Sequence, residues 1–186
     1  MQNEKNQELQ ALLGNLNNLL NQTDLAEVTA DSSGFENLPD GYYLSEVEKA
    51  KLTVSKTSNQ PMVAFTYKVV EDGYAVEFDG NSDVKLDVIK KTKNRKIFMY
   101  YVLKDERSIK RFVTDMLKFE GDEEGKPLLE KDYFTNSQLI QDALEILVGM
   151  RAYVQISTTE NEETNTKNTW QNLISWKRAK ALNLPA

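Results

Sequence analysis

The chain contains no cysteine and no histidine. Without thiols there is no disulfide framework, no zinc-ribbon site and no cysteine nucleophile. Without imidazoles, histidine-based triads and most transition-metal sites are excluded too. Any metal would have to be a hard ion held by carboxylates. Long apolar runs are also missing. The longest, Ile97 to Leu103, falls far short of the roughly 20 residues needed to cross hydrocarbon. Met1 to Gln7 carries no signal-peptide apolar stretch, so the expectation is a cytoplasmic protein with no membrane partner. No glycine-rich phosphate loop of the G-x-x-x-x-G-K or G-x-G-x-x-G type occurs.

What is present is 186 residues, 40% hydrophobic and 28% charged, enough to bury a core without staples. The net charge of −6 argues at first against a phosphate-rich partner. The average hides an asymmetry. Between Val84 and Arg111 ten basic residues face three acidic ones, a surplus of seven, which leaves the rest of the chain at −13. Such a chain can present a cationic surface and stay soluble through its acidic remainder. From charge alone, a solvated loop plus the exposed face of a helix is the favoured reading.

Residues 1 to about 25 show helical spacing through Leu9, Leu12, Leu13, Leu16, Leu19 and Leu20, which predicts an amphipathic helix. Its stripe must be buried, against its own domain or against a second chain in a homo-oligomer. A turn-rich linker, Thr29 to Gly34, separates this arm (1–34) from the remainder (35–186). Tyr42 to Ser55 alternates apolar and polar residues, and the phase slips between Val47 and Ala50, as a bulge in a bent strand requires. Met62 to Val70 predicts a second strand. Tyr74 to Arg95 patterns weakly and reads as a long connection. Lys96 to Leu103 predicts a third strand. Helical spacing follows from Asp105 to Phe119, and again after Ser137, a candidate N-cap, until Gly149. Arg151 to Ser157 and Thr169 to Trp176 predict two more strands around the polar tip Thr158 to Lys167. Trp170 and Trp176 then share one strand face, as core or as stacking platforms.

Five strands with helices between the third and fourth is the element order of an OB-fold, a five-stranded, partly open Greek-key barrel. The fold class expected is mainly β with α, preceded by the helical arm. On the third strand Lys96, Phe98 and Tyr100 fall on one face and Ile97, Met99, Tyr101 and Leu103 on the other. The first set lies beside Lys90, Lys91, Lys93 and Arg95. Cations that track phosphates beside rings on which bases stack are what single-stranded nucleic acid needs. Lys49, Lys51 and Lys68 could extend that surface. Alternatively, Phe98 and Tyr100 lie beneath the helices as core. Asp115, Glu120, Asp122, Glu123 and Glu124 lack the spacing of a calcium loop, and no metal or cofactor is expected of them.

From Phe35 to Trp176 the chain resembles a family of phage-encoded, OB-fold single-stranded DNA-binding proteins. The likeness runs through Phe35-Glu-Asn-Leu-Pro-Asp-Gly-Tyr-Tyr-Leu44, Glu46-Val-Glu-Lys-Ala-Lys-Leu52, Asn59-Gln-Pro-Met-Val63, Gly149 to Ile156 and Asn168 to Trp176. It implies oligomeric coating of DNA during phage replication or recombination, in the host cytoplasm and alongside replication or recombination proteins. The tail, Lys177 to Ala186, is basic and then apolar. Cellular single-strand binders end instead in an acidic tip closed by phenylalanine. The expectation is a non-enzymatic, sequence-nonspecific binder of single-stranded DNA. The alternative is an oligomeric protein-interaction module or a phage inhibitor of a host protein, which buried Phe98 and Tyr100 would favour.

Overall fold

The computed structural model describes residues 37–78, 84–121, 125–161 and 166–185. The chain divides into two units, Met1–Asn37 and Leu38–Ala186, and every described strand and helix belongs to the second. The leucine stripe Leu9 to Leu20 and the linker lie outside the described residues.

Alternation over Gly41–Val54 produces β1, the longest strand. It pairs antiparallel with β2 (Pro61–Val69) through its second half and with β6 (Arg151–Asn161) through its first. The register slips between Val47 and Lys49, leaving Glu48 as the extra residue. This is the bulge that the phase of the sequence anticipates, and it turns Lys49 and Lys51 outward while Ala50 and Leu52 turn in. There Val47 donates to Met150 O at 2.9 Å and accepts from Gly149 N at 2.8 Å, so β6 departs where β1 kinks. Strand β5 (Lys96–Val102) pairs with β2, and β7 (Thr166–Ile174) pairs with β6. The path β5–β2–β1–β6–β7 curls without closing. Among the described residues no ladder joins β5 to β7.

The stretch expected to be a connection holds two strands, β3 (Gly73–Phe78) and β4 (Val84–Ile89), which form a hairpin. The sheet is therefore seven-stranded rather than five-stranded. The weak pattern has a physical cause. Tyr74, Val76 and Leu86 pack against the second core and Ile89 against the main one, while Lys85 pairs with Asp87 and Glu77 in solvent. Gly73 meets the Tyr43 ring so closely that a Cβ has no room.

Between β5 and β6 lie α1 (Glu106–Met116), a 3-10 turn (Lys131–Phe134) and α2 (Ser137–Leu147). Asp105 and Ser108 cap α1 reciprocally. Asn136, one residue before the expected Ser137, caps α2 by accepting from Leu139 N. Gly149, at φ +86°, follows α2 in a conformation that side chains rarely adopt.

The main core gathers the inner faces of β1, β2, β5 and β6 against Phe112, Met116, Ala143, Leu144 and Leu147 of the two helices. Each fully buried Leu, Phe or Met stabilises the fold by about 1.5–3 kcal/mol. Phe65, Tyr67, Tyr101, Phe112 and Phe134 form a continuous series of ring contacts at 5.4–6.0 Å. A second core covers the outer side of β1's first half. Tyr42 and Leu44 meet Tyr153, Ile174 and the residues of α3 (Trp176–Ala181) and the tail. Trp176 opens that helix instead of ending β7, so it does not share a strand with Trp170. Its ring stands edge-on to Tyr153 at 5.6 Å.

Candidate nucleic-acid interface

Rows of paired residues cross β1, β2 and β5. Lys51 faces Ala64, which faces Tyr100; Lys49 faces Thr66, which faces Phe98; Glu46 faces Lys68, which faces Lys96. The rows between them run inward: Leu52–Val63–Tyr101, Ala50–Phe65–Met99 and Val47–Tyr67–Ile97. Side-chain alternation therefore gathers Lys49, Lys51, Lys68, Lys96, Phe98 and Tyr100 onto one uncovered face. Phe98 is 49% and Tyr100 61% exposed, so neither ring is core.

The charge on this face is not all available. Lys96 Nζ lies 2.9 Å from Glu48 Oε2, and Arg151 lies 3.8 Å from Glu46. The Lys96 hydrogen bond, with the nearby charges of Lys49 and Lys68, holds the Glu48 carboxyl below its usual range. Lys49, Lys51 and Lys68 make no ion pair among the described residues.

Lys90, Lys91, Lys93 and Arg95 occupy the loop between β4 and β5. Asn94 N donates to Val69 O at 2.8 Å, and Val69 N donates to Arg95 O at 2.9 Å, which fastens the loop beside the Lys68–Lys96 end of the face. Its centre is Thr92, buried, whose hydroxyl accepts from Gly73 N at 2.8 Å and donates to Ile89 O at 2.9 Å. Asp72 Oδ1 accepts from the backbone N–H groups of Thr92 and Lys93 at 2.9 and 3.1 Å. Those bonds, the Lys93 one foremost, hold the Asp72 carboxyl below its ordinary range. Lys90, Lys91 and Lys93 are exposed, whereas Arg95 is half-buried and its charge acts on the Tyr43 hydroxyl.

Beyond β5 the open seam forms a cleft of about 280 Å³ lined by Phe98, Tyr100, Arg111, Thr169, Trp170 and Gln171, with Met99 and Tyr101 behind. The helix α1 spans the seam. Arg111 Nη2 reaches Asn172 Oδ1 at 3.4 Å, and Lys118, just past the helix, donates to Leu173 O at 2.6 Å and pairs with Asp115. Tyr101 donates to Asp115 Oδ2 at 3.0 Å. Burial and then the Asp115 charge push the Tyr101 hydroxyl well up, so it remains a donor. Trp170, 49% exposed, donates its indole N–H to Thr159 Oγ1 at 2.9 Å. Sequence reasoning left Trp170 open and counted Arg111 only as charge. Trp170 is set opposite Ser157 by the β6–β7 hairpin, whereas Arg111 reaches Asn172 from α1 across a long separation in sequence, which local patterning does not carry.

Residues 23–182 match the family described as "Protein of unknown function (DUF669)". The chain belongs to that family. The match spans every strand of the sheet and both helices under it, so the lysine–aromatic face and the cleft lie within the DUF669 region. No curated protein matches the chain. Among the described residues of this DUF669 protein no group of three or more acidic side chains is placed to hold a metal ion. Asp115 is engaged by Tyr101 and Lys118, and Asp122, Glu123 and Glu124 lie outside the described residues. No described helix is long and apolar enough to cross a membrane.

Proposed function

We propose that this DUF669 protein binds single-stranded DNA without sequence preference and without catalysis. We further propose that its sheet is an open OB-type barrel. The path β5–β2–β1–β6–β7, with helices between β5 and β6 and a bulged β1 shared by both halves, supports that reading of the fold. On this view the β3–β4 hairpin is an insertion between the second and third barrel strands.

The observation that carries the functional reading is the exposed face on which Lys49, Lys51, Lys68 and Lys96 alternate with Phe98 and Tyr100. Cations on phosphates supply salt-dependent affinity through counterion release. Exposed rings supply sequence-tolerant stacking, because every base has a flat face. Lys90, Lys91, Lys93 and Arg95 would continue the phosphate track from the adjoining loop. The competing protein-interaction reading asked for buried Phe98 and Tyr100, and their exposure favours the DNA reading. Coating of DNA by several subunits in phage replication or recombination follows from the family resemblance and is part of the proposal.

The test is fluorescence-anisotropy titration of a labelled oligo-dT across a salt series, with a duplex competitor. Tight, salt-sensitive binding that duplex does not compete away is expected. Absence of binding at low salt refutes the proposal.

A further inference from the structure

We infer that the cleft between β5 and β7 receives one unpaired nucleobase, flanked by Trp170 on one lip and Tyr100 or Phe98 on the other, with Arg111 on the adjoining phosphate. The inference rests on the single-strand reading above and adds to it a discrete site. Three observations carry it.

The first is the seam itself. Strands β5 and β7 are both edges of the sheet, with no ladder between them among the described residues, yet α1 and Lys118 just past it tie the two strands from below through Tyr101–Asp115, Lys118–Leu173 and Arg111–Asn172. The lips are thus held apart and held in place, and the gap is about 280 Å³. That sits near the lower end of small-molecule pockets, roughly 300–1,000 Å³. One flat heterocycle suits such a gap better than a whole nucleotide.

The second is what Trp170 offers. Its indole N–H is already spent on Thr159, which fixes the ring and leaves its face as the free binding element. A ring presented in this way stacks without reading a base edge. Stacking of this kind is worth about 1–3 kcal/mol per base and tolerates any sequence.

The third is Arg111. Its contact to Asn172 is long, at 3.4 Å, on a guanidinium that carries five donors. It lines the same cleft as Trp170 and stands ready for a phosphate oxygen. A base within a duplex reaches such a slot only after unpairing and unstacking, at a cost of a few kcal/mol. The cleft therefore selects single strands for a reason separate from charge.

The chain has two tryptophans, Trp170 and Trp176, so a Trp176→Phe variant makes Trp170 the sole reporter. Its emission is followed while labelled oligo-dT, or an abasic strand of equal length, is titrated and anisotropy is recorded in parallel. The expected result is saturable quenching by oligo-dT. The abasic strand should bind roughly fivefold or more weakly, and without quenching. Binding of oligo-dT with no quenching overturns the cleft and leaves the single-strand reading standing. Equal quenching by both strands overturns the cleft as well, since Trp170 would then report the backbone. No binding of either strand at low salt overturns both proposals. A Trp170→Phe chain gives the same comparison by difference, because Trp176 should not respond to oligo-dT.

Discussion

Replacing Glu48 with Gln should tighten binding of single-stranded DNA, although the substitution removes a residue from the middle of the proposed face. Glu48 is the extra residue of the β1 bulge, and its carboxylate occupies Lys96 at 2.9 Å among the charges of Lys49 and Lys68. A phosphate that engages Lys96 must first displace it. Glu48→Gln keeps the shape and frees one cation, which adds about one phosphate contact. The slope of log K against log salt should then steepen by ~0.7, and the variant's advantage should shrink roughly 2.6-fold between about 50 and about 200 mM salt. Anisotropy of a labelled oligo-dT measures both quantities. Lys96→Gln supplies the control. It should cost little where Glu48 is present and more in the Glu48→Gln background, and that coupling is what a double-mutant cycle isolates. Because the Glu48 carboxyl is held below its usual range, lowering the pH to about 5 should not mimic the substitution. If Glu48→Gln folds normally and binds no better than the wild type at every salt concentration, Lys96 is not on the phosphate track and the reasoning fails.

Phe98→Ala and Tyr100→Ala should each weaken binding of oligo-dT by about 1–3 kcal/mol while leaving the salt slope nearly unchanged; a changed slope at constant low-salt affinity would contradict the stacking role. Neutralising Lys90, Lys91 and Lys93 together should do the reverse, flattening the slope by up to ~2, or ~0.7 for each lost phosphate contact, and an unchanged slope would remove the loop from the track. Asp72→Asn should lower thermal stability at neutral pH, with the gap from the wild type closing in acid. The sign follows from the depressed carboxyl: its contribution is present above the unfolded pKa of about 3.9 and is lost as the pH falls through the lower folded value. Melting temperatures of both proteins from pH 7 to pH 2 check this, and parallel curves would show that Asp72 does not order the basic loop.

Strand β5 was legible because its period of two is local, with Lys96, Phe98 and Tyr100 on one side and Ile97, Met99 and Tyr101 on the other. The bulge was legible for the same reason, as a slip in alternation between Val47 and Ala50. What alternation could not say was which strand lies beside which. The rows Lys51–Ala64–Tyr100 and Lys49–Thr66–Phe98 exist only through pairing between distant segments. The β3–β4 hairpin was missed because it buries few side chains and carries lysine and aspartate on its open side. Trp176 was misplaced because alternation was continued past Ser175, whose side chain accepts from Arg178 N and starts a helix. That serine, placed just before the helix, was a usable N-cap signal.

Where the proposed DNA-binding face lies follows from where the second layer of the molecule stops. The first half of β1 is buried on both sides. Tyr43 and Val47 enter the main core, while Tyr42 and Leu44 are covered by α3 and the tail residues Leu182 and Leu184. That cover ends at the bulge. Beyond it β1, β2 and β5 are packed on one side only, and the outward positions change from Tyr42 and Leu44 to Lys49 and Lys51. A surface meant for an apolar protein partner would be poor in lysine at its centre, because interface cores exclude that residue. This face carries four lysines and two exposed rings. A flexible polyanion with flat, unpaired bases meets both features at once, which a folded protein surface rarely does.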